Sequence, residues 1–115
     1  MLGQSLKHLS AQLSDKKISS VELTTEYLNR IQSQNSELNA FITVNEALSL
    51  EQARKADQLI ARGNAAPLTG IPIAQKDIFC TKDWLTTCGW KMLANFIAPY
   101  DATVIERFNQ IGAVN

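Results

Sequence analysis

Leu68-Thr69-Gly70-Ile71-Pro72-Ile73-Ala74-Gln75-Lys76-Asp77 lies just past the middle of the chain and changes its character. Ile71, Ile73 and Gln75 alternate with Pro72, Ala74 and Lys76, a period of two that predicts a strand over 67–77. Pro72 lacks an N–H and fits only near the start of that strand. The segment places a lysine at a strand end flanked by apolar residues. Such a lysine has two roles open to it. It can extend its charge to water along its aliphatic stem. Alternatively, a desolvated site can hold it, where burial disfavours the cation and leaves a neutral amine able to take a proton.

Upstream, the pattern is helical. Leu2, Leu6, Leu9 and Leu13 recur at spacings of three and four and mark the apolar face of a first helix, closed by Lys16-Lys17. Ser19-Ser20-Val21-Glu22 reads as a capping box opening a second helix, with Val21, Leu23, Leu28 and Ile31 inward and Tyr27 nearby. Gln32 to Asn39 is polar and reads as a loop, and Ala40-Phe41-Ile42-Thr43-Val44 as a short strand. A third helix is predicted over 46–62, with Gly63 as its left-handed cap and alanines at inward positions for close packing.

Downstream, 78–99 is irregular, with a helical turn around Lys91–Asn95. Asp101 is placed to cap a last helix over 102–111 with Val104, Ile105 and Phe108 inward, Gly112 stops it, and Ala113-Val114 reads as the start of another strand. The expected fold class is therefore α/β, in two stretches: helical over 1–65, then strand, loop and helix over 66–115. Half a βαβ unit needs parallel partner strands to bury its faces, and only two or three strands are expected here. The sheet is incomplete, and a piece of a longer protein is expected.

Composition narrows the function. Eleven basic and eleven acidic residues cancel, so no net charge steers the chain to a phosphate backbone. No apolar run approaches the roughly 20 residues of a membrane span, and the N-terminus lacks the layout of a signal peptide. Cys80 and Cys88 are too few for a disulfide-stabilised secreted domain, and with a distant His8 they fall short of the about four ligands of structural zinc. A cytoplasmic setting, two buried or half-buried free thiols and no bound metal are the expectations. There is no G-x-S-x-G, phosphate loop, H-E-x-x-H or Cys-x-x-Cys. His8 has no nucleophile or orienting acid near it in sequence and reads as a helix-surface residue. Cys80 lacks the histidine or metal that would make its thiol a nucleophile. Trp84 and Trp90 read as core or subunit-contact surface. Asp77 reads as structural, satisfying backbone donors, because a salt bridge to Lys76 would oppose a basic amine and strand neighbours face opposite ways.

The segment from Leu68 to Asp77 resembles the lysine motif of the amidase signature family. Further similarities follow in order: Thr86-Thr87-Cys88-Gly89, then Pro99-Tyr100-Asp101-Ala102-Thr103-Val104 with Glu106-Arg107, then Gly112-Ala113-Val114. Ser20-Val21-Glu22-Leu23, Asn39-Ala40-Phe41-Ile42 and Lys76-Asp77-Ile78-Phe79-Cys80-Thr81-Lys82 look like the tRNA-dependent amidotransferase branch of that family. Gln75, Asp83, Trp90 and Ile111 depart from its pattern, standing where it has apolar, glycine, small and alanine residues respectively.

The resemblance implies a mixed sheet flanked by helices and a Ser–cis-Ser–Lys triad that releases ammonia from glutamine. Lys76 is the one triad member it places in this sequence; no serine here, Ser49 included, sits in the Gly/Ser-rich setting of the others. It also implies a heterotrimer with a B subunit, which uses ATP and Mg and holds the tRNA, and a small C subunit, together converting Glu-tRNA(Gln) to Gln-tRNA(Gln). No cofactor is expected in this chain. The other readings are a catalytically silent binding module and part of another amide hydrolase of the family.

Overall fold

The computed structural model describes residues 3–115. Four α-helices, α1 (Leu6–Ser14), α2 (Ser20–Leu38), α3 (Glu46–Ala61) and α4 (Thr103–Gln110), are joined by extended and turn segments, with one 3-10 turn at Lys91–Leu93. The expected Leu2 contact lies outside the described residues.

The helix ends follow local chemistry. Ser19 accepts from the Glu22 amide while the Glu22 carboxylate accepts from the Ser19 amide, completing the expected capping box of α2. That exchange with the Ser19 amide, then with its hydroxyl, holds the Glu22 carboxyl below the ordinary glutamate value. At the end of α3, Gly63 (φ +77°) donates to the Ile60 carbonyl and Asn64 to that of Leu59, a Schellman closure. Gly112 and Ala113 repeat it at the end of α4 on Asn109 and Phe108.

Two hydrophobic centres hold the helices. Leu9, Leu13, Leu23, Ile60 and Ile71 are buried together, with Ile18, Tyr27, Leu68 and Ile73 packed around them. Each such leucine or isoleucine contributes about 1.5–3 kcal/mol on full burial. Ala53, Ala56 and Val114 form the second, with Val21 against it. The alanines of α3 thus do what their positions predicted: lacking bulk, they let the 113–115 backbone lie close. Ser49 Oγ donates to the Asn115 carbonyl (2.5 Å) and Gln52 Oε1 accepts from the Asn115 amide (2.8 Å), fixing that end on α3. Asp57, near the end of α3, accepts from the Ser20 (2.6 Å) and Val21 (3.2 Å) amides, so α3 caps α2 and the two run antiparallel.

Several expectations are corrected. α2 continues through Gln32–Leu38 instead of yielding to a loop. No glycine or proline breaks the helix before Asn39, and Gln32, Gln34, Glu37 and Leu38 are residues that carry a helix on. No strand longer than a single bridge is found among the described residues, so the predicted sheet is not formed within this chain. Over 40–44, the side chain of Asn35 takes the Ala40 and Phe41 amides and donates to the Phe41 carbonyl, using groups a ladder would need. Over 67–77, Ile73 donates to the Val114 carbonyl (2.8 Å) and Val114 to that of Ile71 (3.0 Å), forming the parallel bridge Pro72–Val114. Asp101 does not cap α4. Its carboxylate accepts from the Lys82 amide and from Asn109 Nδ2, and Ala102 stands at the cap position. Leu6 and Val104, expected inward, are exposed.

Candidate active site

The extended run beginning at Ile71 ends at Lys76. The Lys76 carbonyl accepts from the Ile78 (2.8 Å) and Phe79 (3.1 Å) amides, turning the chain sharply after the lysine. Ile71 is buried and Pro72, Ile73 and Gln75 are half-buried, while Ala74 and Lys76 are exposed. Within this chain the lysine therefore stands at an open surface. It lines a cavity of about 570 Å³ bounded by Tyr27 and Ile31 of α2, Pro72 and Ile73, and Val114. The side chain of Thr24, 3% exposed, borders the same space, and its hydroxyl is without a partner.

Thr86, Cys88 and Gly89 also line the cavity. Sequence similarity picked out 86–89 and 68–77 separately; folding joins them through Asp77. One Asp77 carboxylate oxygen accepts from the Thr87 amide (2.8 Å). The other accepts from the Thr87 hydroxyl and the Gly89 amide (3.3 Å), and the Asp77 carbonyl accepts from the Cys88 amide (2.8 Å). Burial pushes the Asp77 carboxyl up, but the Thr87 hydroxyl, the Thr87 amide and the Gly89 amide together bring it below the ordinary aspartate value. Asp77 satisfies backbone donors, as expected, but those of a turn ten residues later. Cys88 takes a positive φ (+53°) there, followed by Gly89 (+67°).

The outer part of this region is a hairpin-like excursion. Thr86 donates to the Phe96 carbonyl and Ala98 to that of Trp84, with the bridge Leu85–Ile97 between them. Asp83, which stands where the family has glycine, holds a left-handed φ of +67°. Trp84 is half-buried, whereas Trp90 is 64% exposed and so does not crowd a packed region. His8 is exposed on α1. Cys80 lies against Tyr100, whose hydroxyl it holds above the ordinary tyrosine value through a hydrogen bond and then through charge. Neither cysteine is in a disulfide; Cys80 is half-buried, but Cys88, expected to be covered, is exposed on its left-handed turn.

Sequence reasoning missed the Asp57 cap of α2 and the part Thr87 plays. Neither carries a local signal. Asp57 sits mid-pattern in a helix and Thr87 in an irregular stretch, and their partners are 37 and 10 residues away.

The Amidase family profile matches residues 22–115. Over its full length the chain is 65% identical to the glutamyl-tRNA(Gln) amidotransferase A subunit of Nitrosomonas europaea and 69% identical to that of Methylobacillus flagellatus. It spans 24% of the length of each. Among solved structures, native peptide amidase from Stenotrophomonas maltophilia superposes with a TM-score of 0.92 at 30% identity, over 98% of this chain and 24% of that one. An amidase family protein from Bacillus anthracis gives 0.89 at 33% identity, over 98% and 23%. No helix among the described residues is long and apolar enough to cross a membrane.

Proposed function

Because the chain belongs to the amidase family, we propose that it forms the leading part of the A subunit of a glutamyl-tRNA(Gln) amidotransferase and carries that enzyme's catalytic lysine, Lys76. The supporting observation is the placement of Lys76: the last residue of the extended run that pairs with Val114 at Pro72, at the rim of a largely apolar cavity. Identity of 65–69% to amidotransferase A subunits, against 30% to a peptide amidase, favours this reading over a stand-alone amide hydrolase.

In the proposed reaction the neutral Lys76 amine takes a proton from a serine hydroxyl, which takes one from a second serine. That second serine attacks the carbon of the glutamine side-chain amide. Its new C–O bond replaces the C–N bond, the relayed proton returns to the leaving nitrogen as ammonia is released, and water hydrolyses the ester to glutamate. Backbone amides hold the oxyanion. The serines and those amides belong to the part of the relatives beyond the match. Polypeptide covering the open side of the cavity supplies the desolvation that a basic lysine needs. The ammonia is used on Glu-tRNA(Gln). A B subunit handles tRNA, ATP and Mg, and a small C subunit completes a heterotrimer in the cytoplasm.

The test is ammonia release from glutamine by the complete protein with its partners. Lys76→Ala abolishes it and leaves assembly intact, and the 115-residue chain alone releases none. Wild-type turnover by the alanine variant removes Lys76 from the mechanism.

A further inference from the structure

Lys76 is followed by a residue that the proposed chemistry does not use. Asp77 is nonetheless heavily bonded at the cavity, joined to Thr87 twice and to Gly89 once, with its carbonyl bonded to Cys88. All of these bonds lead to the turn at 87–89, whose Cys88 and Gly89 line the cavity together with Lys76. They also hold Cys88 left-handed, a conformation that is unfavourable for a side-chain-bearing residue and persists only where its surroundings impose it. The peptide unit between Lys76 and Asp77 is thus gripped from both sides: the Lys76 carbonyl by Ile78 and Phe79, the Asp77 carboxylate and carbonyl by the turn at 87–89.

A lysine amine sits at the end of four methylenes, so its position depends on a fixed backbone and on the walls it meets. We infer that Asp77 is a positioning residue for proton transfer at Lys76, clipping the Thr86–Gly89 wall to the backbone that carries the lysine. This rests on the reading of Lys76 as the catalytic base. Asparagine in place of Asp77 keeps the shape but offers one acceptor oxygen only. Its NH2 confronts the Gly89 N–H, and the wall loosens. Thr87→Val removes one hydroxyl at nearly constant volume.

The experiment measures glutamine hydrolysis by the complete protein with its partners, for Asp77→Asn and Thr87→Val beside Lys76→Ala. A misplacement of about 1 Å in a reacting group costs on the order of 100-fold, so Asp77→Asn lowers kcat by about 10- to 100-fold. Since substrate binding is not what is lost, KM stays within about two-fold. Thr87→Val gives a smaller loss of the same kind, and it decides the matter should the asparagine variant fail to assemble. A purely structural Asp77 predicts otherwise: a lower melting temperature with kcat unchanged per assembled enzyme, which overturns the inference. Wild-type kcat in both variants while Lys76→Ala is inactive overturns it alone. Wild-type turnover by Lys76→Ala overturns it together with the lysine reading.

Discussion

Asp77 shows how one side chain acquires a pH dependence from its partners. Burial raises its pKa and the hydrogen bonds from Thr87 and Gly89 lower it further than burial raises it, leaving the folded value depressed. A depressed carboxyl contributes stability above its unfolded pKa and loses it as pH falls through the folded one. The clip is therefore complete at neutral pH and throughout the mildly acidic range, and is released only below the ordinary aspartate range. Amide exchange at Thr87 and Gly89, followed by NMR and corrected for intrinsic rates, is expected to keep constant protection down to that range and lose it below. Asp77→Asn is expected to show low protection at every pH. Release beginning near neutrality would contradict the assignment of the proton to Asp77. Lys76, the residue before it, is exposed within this chain. What distinguishes it is where the backbone puts it.

The capping box of α2 is the clearest element-level device. Ser19 and Glu22 each satisfy a donor of the other, and Asp57 takes the Ser20 and Val21 amides. The early donors of the helix are thereby bonded partly from within the local sequence and partly from α3. Ser19→Ala is expected to cost about 1 kcal/mol in urea unfolding, the usual loss of a serine cap. A loss below the error of the measurement would mean that Asp57 alone secures this helix end. The far end of α2 teaches the converse. Its last turns are largely solvated, and Asn39, left-handed at φ +49°, ends them where no glycine or proline is available.

The parts of the molecule meet at Gly70. Its carbonyl accepts from Ser20 Oγ (2.9 Å) and its amide donates to the Gly112 carbonyl (2.8 Å). It therefore links the start of α2 to the pairing between 70–73 and 112–114. Its φ is +79°, and a methyl group built there would come within 3.0 Å of Ser20 Cβ and 3.4 Å of Ile60. Gly70→Ala combines a left-handed alanine with an over-tight contact against Ser20 at the start of α2, and is expected to destabilise the fold by about 1–3 kcal/mol, read by thermal or urea unfolding. An alanine variant as stable as the parent would show that α2 and the 112–114 segment yield independently, and that the junction is not rigid.

The local pattern of the sequence determined whatever local chemistry determines. Ser19-x-x-Glu22 opened a helix, Gly63 and Gly112 closed two others, inward alanines on α3 received a close backbone, and Lys76 fell at the end of an extended run. Each of these outcomes is written largely by neighbours a few residues apart, so the order of residues carries it. The strands did not follow the same course. Alternation at 71–76 describes a face, but a ladder requires a second backbone in register, and here it found one bridge at Val114 and no more. At 40–44 the side chain of Asn35 claimed the same backbone groups first. The Asp57 cap, the Asp77–Thr87 clip and the cavity that Lys76 shares with α2 were decided by the tertiary structure alone. Hydrogen bonds between residues 10 to 37 apart leave no periodicity in the chain and exist only once hydrophobic burial has brought the segments together.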